Sequence, residues 1–266
     1  MTTANSHIDC FLAIVFLFFG IGTSAQEETG SLLSGNYPAI VLNTNVGSAI
    51  PFPFYNIPEE RYANMILQPY VGLQLNHVVS PKMYLKFNIS YSAKASDFSA
   101  TLVDQPYNGT MEQEVNGNVS EVYVEDAYFS GHSEGSYRLK YIELNSSLGY
   151  RIGKNAGVYL GFYIAFLMDA KNEVFVDGTV SLGPKLPPVS TRFQRTQDYE
   201  KYINKTDFGL QLGFEHKLYK KLNANGQFST GLYSIYSKKL EAVEFAMINM
   251  YVSLGFTYSI GASYFD

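Results

Sequence analysis

KYIELNSSLGYRIGKNAGVYLGFYIAFLM, residues 140–168, reads as two strands of alternating polarity joined by a tight turn. Over 141–151 the odd positions are Tyr, Glu, Asn, Ser, Gly and Arg, whereas Ile142, Leu144, Leu148 and Tyr150 make the even face largely apolar. Beyond the glycine-bounded turn at 153–157, Val158, Leu160, Phe162, Ile164, Phe166 and Met168 fall on one face and Gly157, Tyr159, Gly161, Tyr163 and Ala165 on the other. A period of two is the signature of a strand. A sheet is therefore present, and the remaining question is which of its faces meets water.

The same alternation recurs along the chain. Strands are expected over 39–50, 68–79, 83–94, 141–151, 158–168, 205–218, 222–233 and 247–260, eight in all. Connections alternate, long after the first, third, fifth and seventh strands and short after the others. An even number of antiparallel strands with short turns at one end and long loops at the other is the plan of an outer-membrane barrel. An apolar face of about five residues per strand covers a band of roughly 25 Å when the strand is tilted. Aromatic residues near the strand ends predict two interfacial girdles: Tyr84, Tyr150, Tyr219 and Tyr258 on the short-turn side, and Tyr91, Tyr141, Phe166, Phe208, Tyr233 and Tyr236 on the long-loop side. A soluble barrel would turn its apolar face inward around a ligand. Its exterior would then be this chain's coat of Gly, Ser, Asn and Gln, which suits a narrow lumen better than a solvent surface.

Composition agrees with this class. Aromatics make up 15% of the 266 residues and charged residues only 16%, with 22 Tyr, 19 Phe and no Trp, which suits a lightly charged β protein. The net charge of −5, with no basic run to neutralise phosphates, argues against nucleic acid as a partner. Residues 1–25 carry an apolar core over 11–21 and the small residues Thr23, Ser24 and Ala25, the pattern of a cleaved signal peptide. A polar leader is expected over 26–38 and the barrel domain over 39–266. Cys10 precedes the apolar core, so the exported chain has no thiol chemistry and no disulfide.

At YIEL (141–144), GVYLGFYIAFLMDAK (157–171), TDFGLQLGFEHKL (206–218) and NMYVSLGFTYSI (249–260), the chain resembles the PorT-like outer-membrane β-barrel family of the Bacteroidota. The resemblance covers the second half of the chain well and the first three strands weakly. It implies a bacterial outer-membrane location, with surrounding lipid and the barrel-assembly machinery as partners; one branch of the family assists type IX secretion. Relatives continue YIE with Leu-Pro and apolar residues, whereas here Asn145, Ser146 and Ser147 follow, and Phe265 is followed by Asp266 where such barrels end on an aromatic residue.

An eight-stranded barrel has a lumen just wide enough for side chains to fill. Charges expected to face inward are Lys86, Lys94, Glu143, Arg151, Asp207, Glu215 and Lys217, of mixed sign. Buried without partners they would be costly, so a salt-bridged, hydrated plug is expected. A lipid-modifying enzyme would need a nucleophile and base near the membrane surface. His132, beside Ser130, Ser133 and Glu134, is the best available set, but its members lie within five residues, whereas triad partners come from separate elements. His77 and His216 fall near short turns. No cofactor motif and no His/Cys spacing for a transition metal is present.

The most polarised segment is 95–136, which carries Asp97, Asp104, Glu112, Glu114, Glu121, Glu125, Asp126 and Glu134 and no Lys or Arg. A hairpin turning at Asn116-Gly117 is one reading. A surface for divalent cations or other envelope proteins is the other, with Glu112, Glu114, Glu121, Glu125 and Asp126 as candidate ligands. The expectation as a whole is a non-enzymatic outer-membrane barrel with a plugged lumen and long extracellular loops for binding or assembly. A small lipid-modifying enzyme and a soluble ligand-binding barrel are the alternatives.

Overall fold

A computed structural model of the chain describes residues 35–54, 61–115, 118–189, 193–237 and 246–265. The expected signal peptide and most of the expected leader lie outside the described residues. Among the described residues there are ten strands: β1 (Gly35–Phe52), β2 (Arg61–Met65), β3 (Gln68–Val78), β4 (Met83–Val115), β5 (Asn118–Ile152), β6 (Ala156–Ser181), β7 (Phe193–Asp198), β8 (Thr206–Tyr219), β9 (Leu222–Gly231) and β10 (Ala246–Ser259). Eight of them form a ring in the order β4-β3-β1-β10-β9-β8-β6-β5, closed by pairing of β5 with β4. Every pairing is antiparallel, and β1 meets β10 over Ala39↔Ser259 to Phe52↔Ala246. A closed ring leaves no unpaired backbone edge, which a strand surrounded by hydrocarbon requires.

The eight expected strands are the ring, and β2 and β7 are additions to it. They pair with β4 and β6 beyond the ring, β2 over Arg61↔Ala100 to Met65↔Ser96 and β7 over Phe193↔Gly178 to Asp198↔Glu173. The strand expected from residue 39 starts at Gly35, so the leader expected over 26–38 gives up its last four residues to β1. The larger correction concerns the polar excursions. Residues 95–115 continue β4, residues 118–136 belong to β5, and β6 runs on to Ser181. These extensions hold together because their inner faces are apolar. Phe98, Tyr137, Leu139, Ala170, Ile203 and Ile235 pack in one cluster, and Leu102, Ala127, Phe129, Val176 and Val180 in another. Val115 pairs with Asn118, while the turn expected at Asn116-Gly117 lies outside the described residues.

The face assignment follows the alternation. On β6, Leu160 is 62% exposed and Phe162 55%, whereas Tyr159, Tyr163 and Ala165 between them are buried. On β8 and β10, Leu210, Leu212 and Phe214, and Leu254, Phe256 and Tyr258, are likewise exposed. A continuous outward coat of large apolar side chains around a polar interior is the inverse of a soluble protein. It fits lipid. Tyr150, Tyr219, Tyr258, Phe166, Phe208 and Tyr233 stand on the outside as the girdles require, but Tyr84 and Tyr141 do not. Both have the inward parity and are buried in the lumen.

Candidate functional site

Every second residue of the ring sends its side chain into the lumen. At its short-turn end Lys86, on β4, forms a buried ion pair with Glu215, on β8, and lies 3.7 Å over the Tyr159 ring. Glu215 also accepts a hydrogen bond from the Tyr264 hydroxyl and, at 3.5 Å, one from Gln74 Nε2. Tyr264 belongs to residues 261–265, which follow β10 and fold back across this end of the barrel. Its ring packs against Tyr84 at 5.0 Å and Tyr37 at 6.5 Å, and Arg151 donates to its carbonyl oxygen with the guanidinium 5.6 Å from the ring.

Toward the long-loop end, Lys94 is 2% exposed and sits between two carboxylates, Asp207 at 3.3 Å and Glu143 at 3.6 Å. The Tyr163, Tyr141 and Tyr251 rings lie 4.8, 5.1 and 5.6 Å from its ammonium. Asp207 Oδ2 takes further hydrogen bonds from Asn249 Nδ2 at 2.7 Å and the Tyr163 hydroxyl at 3.1 Å. Donors thus converge on Asp207, as a buried carboxylate demands. Between the two clusters Tyr70 accepts from Asn88 at 2.8 Å and Asn145 at 2.9 Å, and Tyr159 donates to Gln227 at 3.2 Å. The amide oxygens of Gln74, Asn88, Asn145, Gln211 and Asn249 have no donor among the described residues, so this lumen is polar and of a kind that water solvates.

The seven charges expected to face the lumen therefore divide. Lys86 pairs with Glu215, Glu143 and Asp207 share Lys94, Arg151 grips the folded-back segment, and Lys217 is half-buried near the short turns, its backbone N–H bonded to the Asn155 carbonyl at 2.7 Å. Tyr264 was not legible as a lumen residue. Its signal was modest, an aromatic pair placed just after a glycine that breaks the strand.

The His132 set does not form a relay. Ser99 Oγ at 3.3 Å and Glu134 Oε1 at 3.0 Å both address the same nitrogen, Nε2, whereas a triad base uses one ring nitrogen for the nucleophile and the other for its orienting carboxylate. Ser133 is buried on the other face of β5, and Ser130 Oγ accepts from the Asp104 backbone N–H at 2.9 Å. In the acidic hairpin Glu112 pairs in register with Glu121, and Glu125 and Asp126 are exposed. The side chains of Glu112, Glu114 and Glu121 lie outside the described residues, and among the described residues no three His, Cys, Asp or Glu side chains are grouped to hold a metal ion.

Above the ring, β2, β4, β5, β6 and β7 continue as a sheet whose inner face packs on the loops. Its outer face carries ion pairs, Arg138 with Asp97 at 2.6 Å and Lys140 with Asp169 at 2.7 Å. A closed antiparallel ring, an apolar exterior and a polar interior together define an outer-membrane β-barrel. The chain belongs to the outer membrane protein beta-barrel domain family, which it matches over residues 25–237. No curated protein sequence matches it. Among solved structures it is similar to Ail, the attachment invasion locus protein of Yersinia pestis, crystallised with the heparin analogue sucrose octasulfate. The identity is 9% and the TM-score 0.32, with 86% of this chain and 99% of that chain covered.

Proposed function

We propose that this outer-membrane barrel is a non-conducting, non-enzymatic scaffold whose activity resides in the sheet it raises beyond the membrane. The observation that carries the reading is the contrast between the two halves of β4 and β5. The barrel half closes around two buried ion clusters. The other half, residues 95–115 and 118–140, builds a hairpin that the barrel itself does not need. On this reading the short turns face the periplasm, the hairpin faces outward, and residues 1–25 are the signal peptide that exports the chain. The acidic hairpin is the surface for another envelope protein or for divalent cations. Placement in the PorT-like branch, with a role beside secretion, is a narrower proposal supported by the YIEL and GVYLGFYIAFLMDAK motifs.

Two measurements test the reading. Purified barrel in planar bilayers is expected to give no discrete conductance steps; resolved open channels would overturn the plug. Replacing residues 103–128 by a two-residue turn should leave a heat-modifiable, folded barrel and remove its contacts with envelope partners in cross-linking. Unchanged cross-links after that truncation would refute the assignment of function to the hairpin.

A further inference from the structure

The outward face of β5 and β6 changes character within two residues. Ile142 and Phe166 form the last outward pair that is apolar on both strands, with the exposed Met168 beyond it on β6; the next outward pair is Lys140 and Asp169, and the one after it Arg138 and Lys171. Lys171 reaches this face only through a β-bulge. The register steps from Tyr141↔Leu167 to Lys140↔Asp169, which makes Met168 the extra residue. Before it, even positions of β6 face lipid. After it, Asp169, Lys171 and Glu173 are exposed and Ala170, Asn172 and Val174 are buried. A bulge re-aims the side chains that follow it.

The consequence is that Lys171 lies directly opposite Arg138. Like charges so placed destabilise a sheet unless an anion joins them. Asp97 binds Arg138 Nη2 from the β4 side at 2.6 Å, and the carbonyls of Ser96 and Tyr137 take Nη1 at 3.2 and 2.9 Å, which leaves Nε and one Nη2 hydrogen without these partners. Asp169 is engaged by Lys140 at 2.7 Å. Among the described residues no carboxylate lies within ion-pair distance of Lys171, and Glu173 stands one outward position farther from the lipid. Two to four residues of tilted strand above Ile142 amount to roughly 5–10 Å along the membrane normal, the depth of the headgroup layer.

We propose that Arg138 and Lys171, with Lys140 beside them, clamp the phosphate of an outer-leaflet lipid headgroup. The guanidinium supplies directional donors and the ammonium a point charge. The site is continuous with the lipid-facing surface below it, so a lipid already seated on Ile142 and Phe166 presents its headgroup to this pair.

The chain contains no Trp, so Phe166→Trp places a sole fluorescent reporter beside the site. Folded protein carrying this reporter, in zwitterionic detergent micelles, is titrated with diphosphorylated lipid A, with its dephosphorylated form and with inorganic phosphate. Saturable binding is expected for the diphosphorylated lipid alone. Lys171→Glu is expected to weaken it about 30-fold, at about 1 kcal/mol for each of two unit charges, while Lys82→Glu on a short turn leaves it unchanged. Lys171→Met, expected to weaken binding about fivefold, serves as the second variant and reads the site should Lys171→Glu fail to fold. Unaltered affinity in both Lys171 variants overturns the proposal, as does an equal response to dephosphorylated lipid A. An equal response to inorganic phosphate overturns the lipid assignment.

Discussion

Tyr159 lies directly opposite Gly213 across β6 and β8, and its ring occupies the space that a Cβ on Gly213 would fill. Tyr163 with Gly209, Tyr84 with Gly149 and Tyr251 with Gly47 repeat the arrangement. Each glycine lets a ring lie against the wall of the lumen, and each ring covers backbone that the glycine would leave bare. Gly213→Ala is therefore expected to cost about 1–3 kcal/mol by overpacking, read as a lower midpoint of urea unfolding in lipid vesicles. In a Tyr159→Ala background the same substitution should cost much less; an equal cost in both backgrounds would show that the ring is not the obstacle.

Lys94 holds two buried carboxylates apart. Lys94→Met strands Glu143 and Asp207 and is expected to destabilise the barrel by about 3–5 kcal/mol. Adding Glu143→Gln and Asp207→Asn to that variant should restore most of the loss, because amides of the same shape need no counter-charge. Urea unfolding of the single and triple variants checks this, and a triple variant no more stable than the single one would contradict it.

The segment after β10 is tied to the barrel by three contacts of different kinds. Tyr264→Phe removes the hydroxyl from Glu215 but leaves the ring packing against Tyr84 and the Arg151 contact to the carbonyl. A hydrogen bond to a charged acceptor contributes about 1.5–3 kcal/mol, and Glu215 keeps Lys86. The expected result is a loss of that order, with the segment still protected from carboxypeptidase. Arg151→Ala combined with Tyr264→Ala should expose it; continued protection in the double variant would mean that other contacts hold it.

The Lys140–Asp169 pair stands outside the apolar band and is exposed. Its hydrogen bond with Lys140 holds the Asp169 carboxyl below the usual aspartate value, and the same contact raises Lys140 above the usual lysine value. The signs set a wide window. Asp169's contribution is present above the ordinary aspartate range and is lost as pH falls through its depressed value. Lys140's is present below the ordinary lysine range and is lost as pH rises through its raised value. Solvent screening keeps the effect on stability small, so the measurement is spectroscopic. The Asp169 carboxyl resonance should titrate at higher pH in Lys140→Met than in the unaltered chain, and coincident titrations would show that the pair is not formed in solution.

The period-two pattern in 140–168, repeated through the chain, determined that this protein is a closed antiparallel barrel with apolar side chains outward. Strand parity is local, and a barrel in lipid makes every residue's environment follow from it. Parity alone also sent Lys86, Glu143, Asp207 and Glu215 inward. It could not say who pairs with whom: Lys86 meets Glu215 across 129 positions and Lys94 meets Asp207 across 113. Ring closure decides that. Tertiary structure likewise decided that 95–115 and 118–136 are paired strand rather than loop, since their apolar residues are too sparse to announce a strand and become a core only when β4, β5 and β6 face the same loops. The bulge at Met168 is the sharpest case. One unpaired residue turns Lys171 from the inner parity to the outer and sets it beside Arg138, and no residue-by-residue pattern in the chain announces that extra step.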